Sequence, residues 1–359
     1  MTPVRWRIVA AVVGVALAAL GCVGDRAAGR RPAPESPADG VSPAASWERI
    51  EPGGQTRCAR GGTYAFWVRR GSPDRLLVYF QGGGACFDPR TCAPGSPFFD
   101  DSVGPGDAPG RASGILDLDD PWNPFRGHTI VFIPSCTGDV HWGDARTTYG
   151  SGPGRVTIEH RGFVNASAAL EWAYRNVLHP SSVMVAGCSA GSVGSAAHVP
   201  FVIERYAAAR IGQLGDSLAF VFDRPIDLDE GYRVGANLPE WVRGLVDPER
   251  FRMADWYEEL ARRFPDVAFA QFNYARDRVQ RLFYRAIGGR AGEFPSALRR
   301  SLRAVRRATP NVHTYTAPGD EHCILGEAGF FTLEVEGVSL RRWVADLAAG
   351  RRVPDVGRR

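Results

Sequence analysis

Short apolar runs rich in β-branched and aromatic residues recur along this chain, and stretches with a helical pattern separate them. A continuous apolar run of this length is typical of a strand buried on both faces of a parallel sheet. Strands that alternate with helices indicate a doubly wound α/β fold with one mostly parallel sheet and helices on both faces. The predicted strands cover residues 76–80, 129–133, 183–186, 267–270 and 312–315, and the predicted helices cover residues 163–177, 194–208, 250–263, 276–286 and 295–309.

The composition is that of a soluble globular protein. The chain has 359 residues, of which 44% are hydrophobic and 23% are charged. These values exclude intrinsic disorder, a collagen-like repeat and a coiled coil for the chain as a whole. The net charge of +4 is small and is spread along the chain, so we expect no nucleic-acid partner. We expect the protein to be a monomer.

The first 22 residues have the pattern of an export signal. Arg5 and Arg7 precede an apolar run from Ile8 to Leu20, and Gly21-Cys22 closes it. About 13 apolar residues are too few to span a membrane as a helix. The ending resembles a bacterial lipobox, which makes Cys22 a candidate lipidation site, and the alternative is an ordinary secretory signal. We therefore expect either a secreted protein or a bacterial envelope lipoprotein that its N-terminal lipid attaches to the membrane.

The chain beyond the signal divides by composition into a linker, a body and a tail. Residues 23–46 are rich in Ala, Pro, Gly, Ser and Arg and are predicted to be a disordered linker. The catalytic domain is predicted over residues 47–349, with an Arg-rich, frayed tail over 350–359. Within the body, residues 88–124 form a Gly- and Pro-rich loop of the kind that carries function or covers a site.

The motif Gly187-Cys188-Ser189-Ala190-Gly191 is a G-x-S-x-G sequence between a predicted strand and a predicted helix. In hydrolases with this arrangement, the serine lies on a sharp strand-to-helix turn that exposes its hydroxyl. Small flanking residues allow the backbone and the helix to come close at that turn. Ser189 is therefore the candidate nucleophile, and the alternative is a turn that is merely rich in Gly and Ser.

A serine nucleophile also needs backbone donors for the oxyanion that develops in the reaction. The sequence Gln81-Gly82-Gly83-Gly84 directly follows the predicted strand 76–80, where hydrolases of this fold place a glycine-rich oxyanion turn. We predict that the amides of Gly83, Gly84 and Ala190 form the oxyanion hole. A simple tight turn would need one or two glycines and not three.

The base is expected near the end of the chain, because this fold orders its triad as Ser, acid and His. His322 follows the last predicted strand in a loop and is the candidate base. His313 lies within that strand and is predicted to be a strand residue. The other histidines precede or adjoin the nucleophile and are predicted to be structural or surface residues: His128, His141, His160, His179 and His198.

The acid is expected just beyond the predicted strand 267–270, where Asp277 lies. Asp320 and Glu321 are alternatives. They are so close to His322 in sequence that a buried contact to its Nδ1 is harder to build, which favours Asp277.

Taken in order, these blocks resemble the pectin acetylesterase and Notum family of carboxylesterases over residues 58 to 325. The resemblance implies an α/β-hydrolase fold with long loops over the active site, a triad of Ser189, Asp277 and His322, and removal of acyl groups from ester-linked substrates without a cofactor. The matching segments are Cys58-Ala59-Arg60-Gly61-Gly62-Thr63-Tyr64, Gln81-Gly82-Gly83-Gly84-Ala85-Cys86 with Cys92, Asn123-Pro124-Phe125, Cys136-Thr137-Gly138-Asp139, Gly187-Cys188-Ser189-Ala190-Gly191, Asp277 with Gln280, and His322-Cys323.

Six cysteines remain if Cys22 is lipidated, and an even number in an exported chain favours disulfides. Cys86 and Cys92 close a short loop and are predicted to pair, while the family resemblance suggests that Cys58 pairs with Cys136. Cys188 and Cys323 are either small buried thiols or a third pair. The sequence contains no metal-ligand spacing and no nucleotide-binding motif, so we expect no metal and no cofactor.

The leading hypothesis is an exported serine carboxylesterase that removes acyl groups, acetyl above all, from a polysaccharide or related glycan. A second hypothesis is a lipid or aryl esterase of the same mechanism, with residues 88–124 and 200–260 shaping an acyl tunnel. A third is a catalytically silent binding protein on the hydrolase scaffold. Three tryptophans are either pocket-lining residues for a sugar or acyl group or plain core and surface aromatics: Trp142, Trp241 and Trp256.

Overall fold

The apolar runs of the sequence form the centre of one eight-stranded sheet in the computed structural model, which describes residues 46–111, 113–217 and 226–357. These residues belong to one compact unit, Ala44–Arg359. The predicted signal peptide, the lipidation site Cys22 and the linker up to residue 45 lie outside the described residues. Within the described part of the chain, no helix is both long enough and apolar enough to cross a membrane.

The central sheet has the order β1-β2-β4-β3-β7-β8-β9-β10. The last six strands in this order, β4, β3, β7, β8, β9 and β10, all pair in parallel. The other two are antiparallel: β2 pairs with β4, and β1, at the edge of the sheet, pairs with β2. Two separate hairpins pair β5 with β6 and β11 with β12. The strands are β1 Glu48–Ile50, β2 Phe66–Arg69, β3 Ser72–Phe80, β4 His128–Ile133, β5 Ala145–Tyr149, β6 Val156–His160, β7 Ser182–Cys188, β8 Arg210–Asp216, β9 Ala268–Tyr274, β10 Val312–Ala317, β11 Glu334–Val335 and β12 Val338–Ser339.

Seven α-helices lie among the described residues, and short 3-10 turns fill several of the loops. The helices are α1 Gly162–Asn176, α2 Ala190–Arg205, α3 Asp229–Tyr232, α4 Met253–Arg263, α5 Arg278–Ala286, α6 Phe294–Ala308 and α7 Leu340–Ala348. All five predicted helices are present. The helix predicted from residue 194 begins four residues earlier, because the chain turns into α2 directly after Ser189.

Helices cover both faces of the sheet, so the sheet has an apolar layer on each side. Along β3, Leu76, Val78 and Phe80 face one layer, to which α1, α2 and α4 contribute. Leu77 and Tyr79 face the other layer, which includes the buried side of α7. The predicted doubly wound α/β fold is therefore confirmed, and the five predicted strands are neighbours in this sheet or separated only by β8.

The prediction of a frayed tail from residue 350 is wrong for its described part. Val353 and Val356 are buried against the apolar layer that contains α7. Val356 also forms a β-bridge to Tyr315 of β10 and exchanges backbone hydrogen bonds with Thr314 and Thr316. The two valines make the tail an extra edge segment beside β10, although the Arg-rich composition suggested a solvated end.

Candidate active site

Ser189 lies on a strained turn between β7 and α2. Its backbone has φ 54° and ψ −122°, a combination that a non-glycine residue adopts at a cost of about 1–3 kcal/mol. Ser189 as a whole residue is 9% exposed. The structure shows no hydrogen bond from its hydroxyl among the described residues. A strained serine between a buried strand and a helix is the geometry of a nucleophile elbow.

The two glycines of the G-x-S-x-G motif are required by close packing around this turn. A Cβ atom on Gly187 would lie 2.1 Å from the carbonyl oxygen of Gly191. A Cβ atom on Gly191 would lie 2.1 Å from the carbonyl oxygen of Phe80, at the end of β3. Neither position accepts a side chain, so the motif reflects the contact between α2 and the ends of two adjacent strands.

His322 and Asp277 form a buried pair at the same edge of the sheet. His322 Nδ1 lies 2.8 Å from Asp277 Oδ2 and 3.0 Å from Oδ1. Asp277 is fully buried, whereas the His322 side chain is 16% exposed. His322 Nε2 is buried and has no hydrogen-bond partner in the described part of the chain. The carboxylate therefore holds one ring nitrogen, and the other nitrogen is left for a reacting group.

The loop after β9 and the start of α5 hold the Asp277 carboxylate in place. Asp277 is the N-cap of α5, and its Oδ1 accepts hydrogen bonds from the amides of Val279 and Gln280. The Gln280 side chain donates to Asp277 Oδ2 and to Asn273 Oδ1. These donors fix the orientation of the carboxylate toward the imidazole. Asp320 and Glu321, the alternative acids, are exposed, and His313 lies within β10.

The glycine turn after β3 lies beside the serine. Gly84 has φ +71°, and a Cβ atom there would lie 1.9 Å from the carbonyl oxygen of Phe98. Gly82 comes closest to the serine, since a Cβ atom on it would lie 3.1 Å from Ser189 Cβ. The amides of Gly83 and Gly84 have no backbone acceptor among the described residues. The turn thus presents backbone donors that lack a backbone acceptor, in the cavity that Ser189 also lines.

Asp216 and Ser217, at the end of β8, hold the loop that carries His322. Asp216 Oδ2 accepts hydrogen bonds from the amides of Ile324 and Leu325 at 2.7 and 2.8 Å. The Ser217 hydroxyl donates to Asp216 Oδ1 and accepts from the Cys323 amide. Burial raises the pKa of Asp216 to about 6. Neither residue was predicted from the sequence. Strand β8 was not recognised, so nothing indicated that Asp216 lies at the carboxyl edge of the sheet.

A cavity of about 680 Å³ opens over these residues. Ser189, His322 and the glycine turn line one part of it. Apolar side chains from the loop after β3 and from α5 line another part, namely Pro97, Phe98, Phe99, Val279, Leu282 and Phe283. The long loop 88–124 contributes part of the wall, as its composition predicted.

The five histidines that were predicted to be structural or surface residues are buried in four cases and exposed in one. Burial lowers the pKa of four of them to about 4, so they are neutral within the fold: His128, His141, His160 and His198. His179 is exposed. The tryptophans do not line the cavity: Trp142 and Trp256 are fully buried and pack against each other, and Trp241 stacks on Trp256.

The described cysteines form three disulfides. Cys58 is bonded to Cys136, Cys86 to Cys92, and Cys188 to Cys323. The third bond joins the residue before the candidate nucleophile to the residue after the candidate base. Three disulfides in a chain of this size indicate folding in an oxidising compartment, which agrees with an extracellular or secreted protein. Among the described residues, no group of three or more His, Cys, Asp or Glu side chains is arranged to hold a metal ion.

The fold and this arrangement of residues define an α/β-hydrolase-like protein. Its sequence matches the family model for pectinacetylesterase over residues 52–235, about half of the chain. The chain belongs to the pectinacetylesterase family, and it is a carboxylic ester hydrolase.

A solved structure with a similar fold is that of the Wnt deacylase Notum from Drosophila. The two chains superpose with a TM-score of 0.63 at 17% sequence identity, over 87% of this chain and 96% of that one. At this identity the likeness shows the fold alone. No curated protein matches the chain in sequence.

Proposed function

We propose that this protein is an exported serine carboxylesterase that removes acetyl groups from a polysaccharide or related glycan through an acyl-enzyme. The observation that carries the proposal is the His322–Asp277 pair. The carboxylate occupies Nδ1, while the unpaired Nε2 lines the same cavity as the strained Ser189. A silent binding protein has no need of such a pair beside a strained serine turn.

In the proposed first step, Ser189 Oγ attacks the ester carbonyl carbon while His322 Nε2 takes the hydroxyl proton. The Asp277 carboxylate accepts the hydrogen bond from Nδ1, which keeps Nε2 free of a proton beforehand and stabilises the imidazolium afterwards. The negative charge moves to the carbonyl oxygen, where the amides of Gly83, Gly84 and Ala190 donate hydrogen bonds to it.

The tetrahedral intermediate then collapses, the C–O bond to the sugar breaks, and the leaving oxygen takes the proton from His322 Nε2. The acyl group remains on Ser189 Oγ as an ester. A water molecule, deprotonated by the same nitrogen, attacks this ester and releases the carboxylic acid. No step requires a metal or a cofactor.

Two features of the molecule support export and a glycan substrate. The disulfides suit an oxidising compartment, and the sequence begins with the pattern of an export signal that ends at Cys22. The cavity is open to solvent and contains both polar and apolar side chains, which suits one acylated unit of a larger chain. Membrane attachment through a lipid on Cys22 belongs to the same proposal.

A second candidate substrate class is an ester with a longer acyl chain. The apolar wall formed by Val279, Leu282 and Phe283 favours it, because an acyl chain that displaces water from such a surface gains about 0.8 kcal/mol for each CH₂ it buries. The mechanism would be unchanged, and only the dependence of rate on acyl length would differ.

The experiment is a turnover assay of the full chain against acetyl, butyryl and long-chain nitrophenyl esters and against acetylated pectin and xylan. We expect turnover of acetyl esters and its loss by several orders of magnitude in Ser189→Ala. Ser181→Ala is the matched control. Ser181 is exposed and directly precedes β7, at the end of the strand opposite to Ser189. A rate that rises steadily with acyl length would favour the lipid esterase, and no turnover of any ester would favour the binding protein.

A further inference from the structure

The cavity that contains the candidate nucleophile is acidic. Asp100, Asp107 and Glu327 line it together with Ser189 and His322. Among the described lining residues there is no arginine, and the sequence contains no lysine. From the described lining residues, a substrate in this cavity therefore meets three carboxylates and no arginine or lysine.

The hydrogen-bond donors to Asp107 are neutral, and the charged neighbours of Asp100 are other carboxylates. Asp107 accepts hydrogen bonds from the Gly104 amide and from the Gln81 side chain. The pKa of Asp100 is raised by its partial burial and by the neighbouring carboxylates of Asp107 and Asp101. No cation from the described residues offsets the negative charge of this pair within the cavity.

Arg60, which contacts the residue next to Asp100, does not line the cavity. Arg60 forms an ion pair with Asp101 and donates to the carbonyl of Cys92. Its guanidinium also lies over the ring of Phe99, 5.6 Å from the ring centre. Because it is already paired, Arg60 neutralises Asp101 and leaves the charges of Asp100 and Asp107 unbalanced.

Two polar groups at the candidate catalytic site are available to a ligand in this cavity. Ser189 is nine-tenths buried as a residue and its hydroxyl forms no hydrogen bond among the described residues, and His322 Nε2 is buried without a partner there. Both line the cavity with the three acids. The acidic side chains therefore share one cavity with the candidate nucleophile and base, and Asp100 lies beside the glycine turn, where a Cβ atom on Gly83 would be 3.2 Å from its Oδ2.

We propose that this cavity selects its ester by charge, taking acylated glycans that carry amino groups before uncharged ones and disfavouring polyanionic ones. The inference rests on the proposed esterase function and names its substrate class. Two unit charges about 6 Å apart in water interact by roughly 0.7 kcal/mol, which is about a threefold change in affinity per carboxylate at low salt. With three carboxylates, the cationic and anionic extremes should differ by well over tenfold.

The proposed selectivity disfavours pectin, the substrate that gives the family its name. Pectin is a chain of galacturonic acid units, and each unesterified unit carries a carboxylate. Such a chain would bring like charges next to Asp100, Asp107 and Glu327. An amino-sugar chain would instead place ammonium groups beside them.

The test uses full-length Ser189→Ala, which binds without turnover, and three partly O-acetylated oligosaccharides of equal length. One is an amino-sugar oligomer, one is a xylan fragment, and one is an oligogalacturonide. Calorimetry at a pH where the amines and carboxylates are charged should give the highest affinity for the amino-sugar oligomer and the lowest for the oligogalacturonide. Added salt should reduce the differences among the three affinities. An oligogalacturonide that binds as tightly as the xylan fragment, or more tightly, would overturn the proposal.

The carboxylates are then neutralised one at a time as Asp100→Asn, Asp107→Asn and Glu327→Gln in the same background. Each change should weaken the amino-sugar oligomer and strengthen the oligogalacturonide by about threefold, and should alter the xylan fragment least. Asp119→Asn is the matched control, because Asp119 is an exposed acid of the same long loop that does not line the cavity. Equal effects of all four changes would contradict a role for the cavity charges.

Failure of this inference is distinct from failure of the esterase. If the wild-type chain hydrolyses no ester, the proposed function fails, yet the binding order in Ser189→Ala still decides the charge selectivity. If the esterase is active and prefers acetylated oligogalacturonide, the proposed function stands and the charge selectivity is wrong.

Discussion

Asp277 is close to His322 in the fold, and Asp320 is close to it in the sequence. The two acids differ in burial, and we expect them to differ in function. Asp277 is buried and contacts Nδ1, while Asp320 is exposed. We predict that Asp277→Asn lowers kcat by roughly 10²–10⁴-fold, because the amide favours the wrong imidazole tautomer. Asp320→Asn should stay within a few fold of wild type. Steady-state kinetics on a nitrophenyl acetate substrate measures both, and the reverse order would show that the acid is assigned wrongly.

Asp216 provides a second prediction at the residue scale. Asp216→Ala leaves two buried amides, those of Ile324 and Leu325, without an acceptor, which costs about 1–3 kcal/mol for each. Because the loop that carries His322 loses its anchor, kcat should also fall, with KM changing less. Asp216→Asn keeps an oxygen for both amides and should retain most of the stability and activity.

Urea unfolding and steady-state kinetics of the two Asp216 variants decide this prediction. If Asp216→Ala is as stable and as active as Asp216→Asn, the contact to the His322 loop does not position the base. If both variants lose activity equally while staying folded, the charge of Asp216 matters more than its hydrogen bonds.

The sequence indicated the candidate triad without the structure, because a motif with strict local geometry located Ser189 and the chain order of the fold then limited the choices for the other two. The structure brings Ser189 and His322 to one cavity and joins His322 to Asp277, although their roles stay predictions until they are tested. Asp216 could not be found in the same way. Its strand contains Gly212, Gln213 and Gly215, which break the apolar run that marks a buried strand.

At the scale of elements, the three disulfides close loops of very different length. Cys188 and Cys323 are 135 residues apart, whereas Cys86 and Cys92 are 6 apart. In the chain-entropy model, the long bond stabilises the fold by roughly 5 kcal/mol and the short one by roughly 2 kcal/mol. We therefore predict that Cys188→Ala/Cys323→Ala is destabilised more than Cys86→Ala/Cys92→Ala, as measured by urea unfolding.

The longer bond should also affect activity, because it joins the chain next to Ser189 to the chain next to His322. Its loss should lower kcat more than the loss of the Cys86–Cys92 bond does. If the two double variants are equally stable and equally active, the bond between the serine turn and the histidine loop has no special role.

Strands and helices were predicted well where the pattern was uniform and poorly where polar residues interrupt it. The run 267–270 was predicted too short, since β9 continues through Gln271 and Asn273 to Tyr274. The buried side of α7, with Leu340, Trp343 and Leu347, was not recognised as a helix. In both cases burial comes from tertiary packing, which a single sequence does not reveal.

At the scale of the whole molecule, buried titratable groups couple stability to pH. Burial lowers the pKa of His128, His141, His160 and His198 to about 4, so between about pH 4 and 6.5 the unfolded chain binds protons that the native chain does not. Burial raises the pKa of Asp139 and Asp216 to about 6, so over part of this range the native chain binds two protons that the unfolded chain does not. The four histidines therefore make the free energy of unfolding rise with pH, and the two carboxyls make it fall with pH.

Because the histidines outnumber the carboxyls by two, unfolding near pH 5 should take up about two protons. The free energy of unfolding should therefore rise by about 2–3 kcal/mol per pH unit there. The histidine contribution is complete above about pH 6.5 and is lost as the pH falls toward 4. Urea titrations followed by tryptophan fluorescence at a series of pH values measure the slope, and a stability that falls as the pH rises from 4.5 to 6 would contradict the account.

The overall topology was only partly accessible from the sequence. Alternating strands and helices predict a parallel sheet, and the family resemblance implies the α/β-hydrolase fold. The antiparallel edge made by the short strands β1 and β2, and the pairing of Val356 with β10, depend on contacts distant in sequence. The acidic side of the cavity likewise arises only when Asp100, Asp107 and Glu327 come together in space.

The central claim is that Ser189 is a nucleophile activated by His322, and covalent trapping tests it most directly. Ser189 Oγ should attack the phosphorus of a fluorophosphonate and displace fluoride into solvent, while His322 takes the hydroxyl proton. Mass spectrometry of the intact chain should then show one phosphonyl adduct, and peptide mapping should locate it on Ser189. Ser181→Ala should be labelled like wild type, and folded Ser189→Ala should not be labelled. A wild-type chain that stays unlabelled, or a Ser189→Ala chain that is labelled as fast as wild type, would contradict the account.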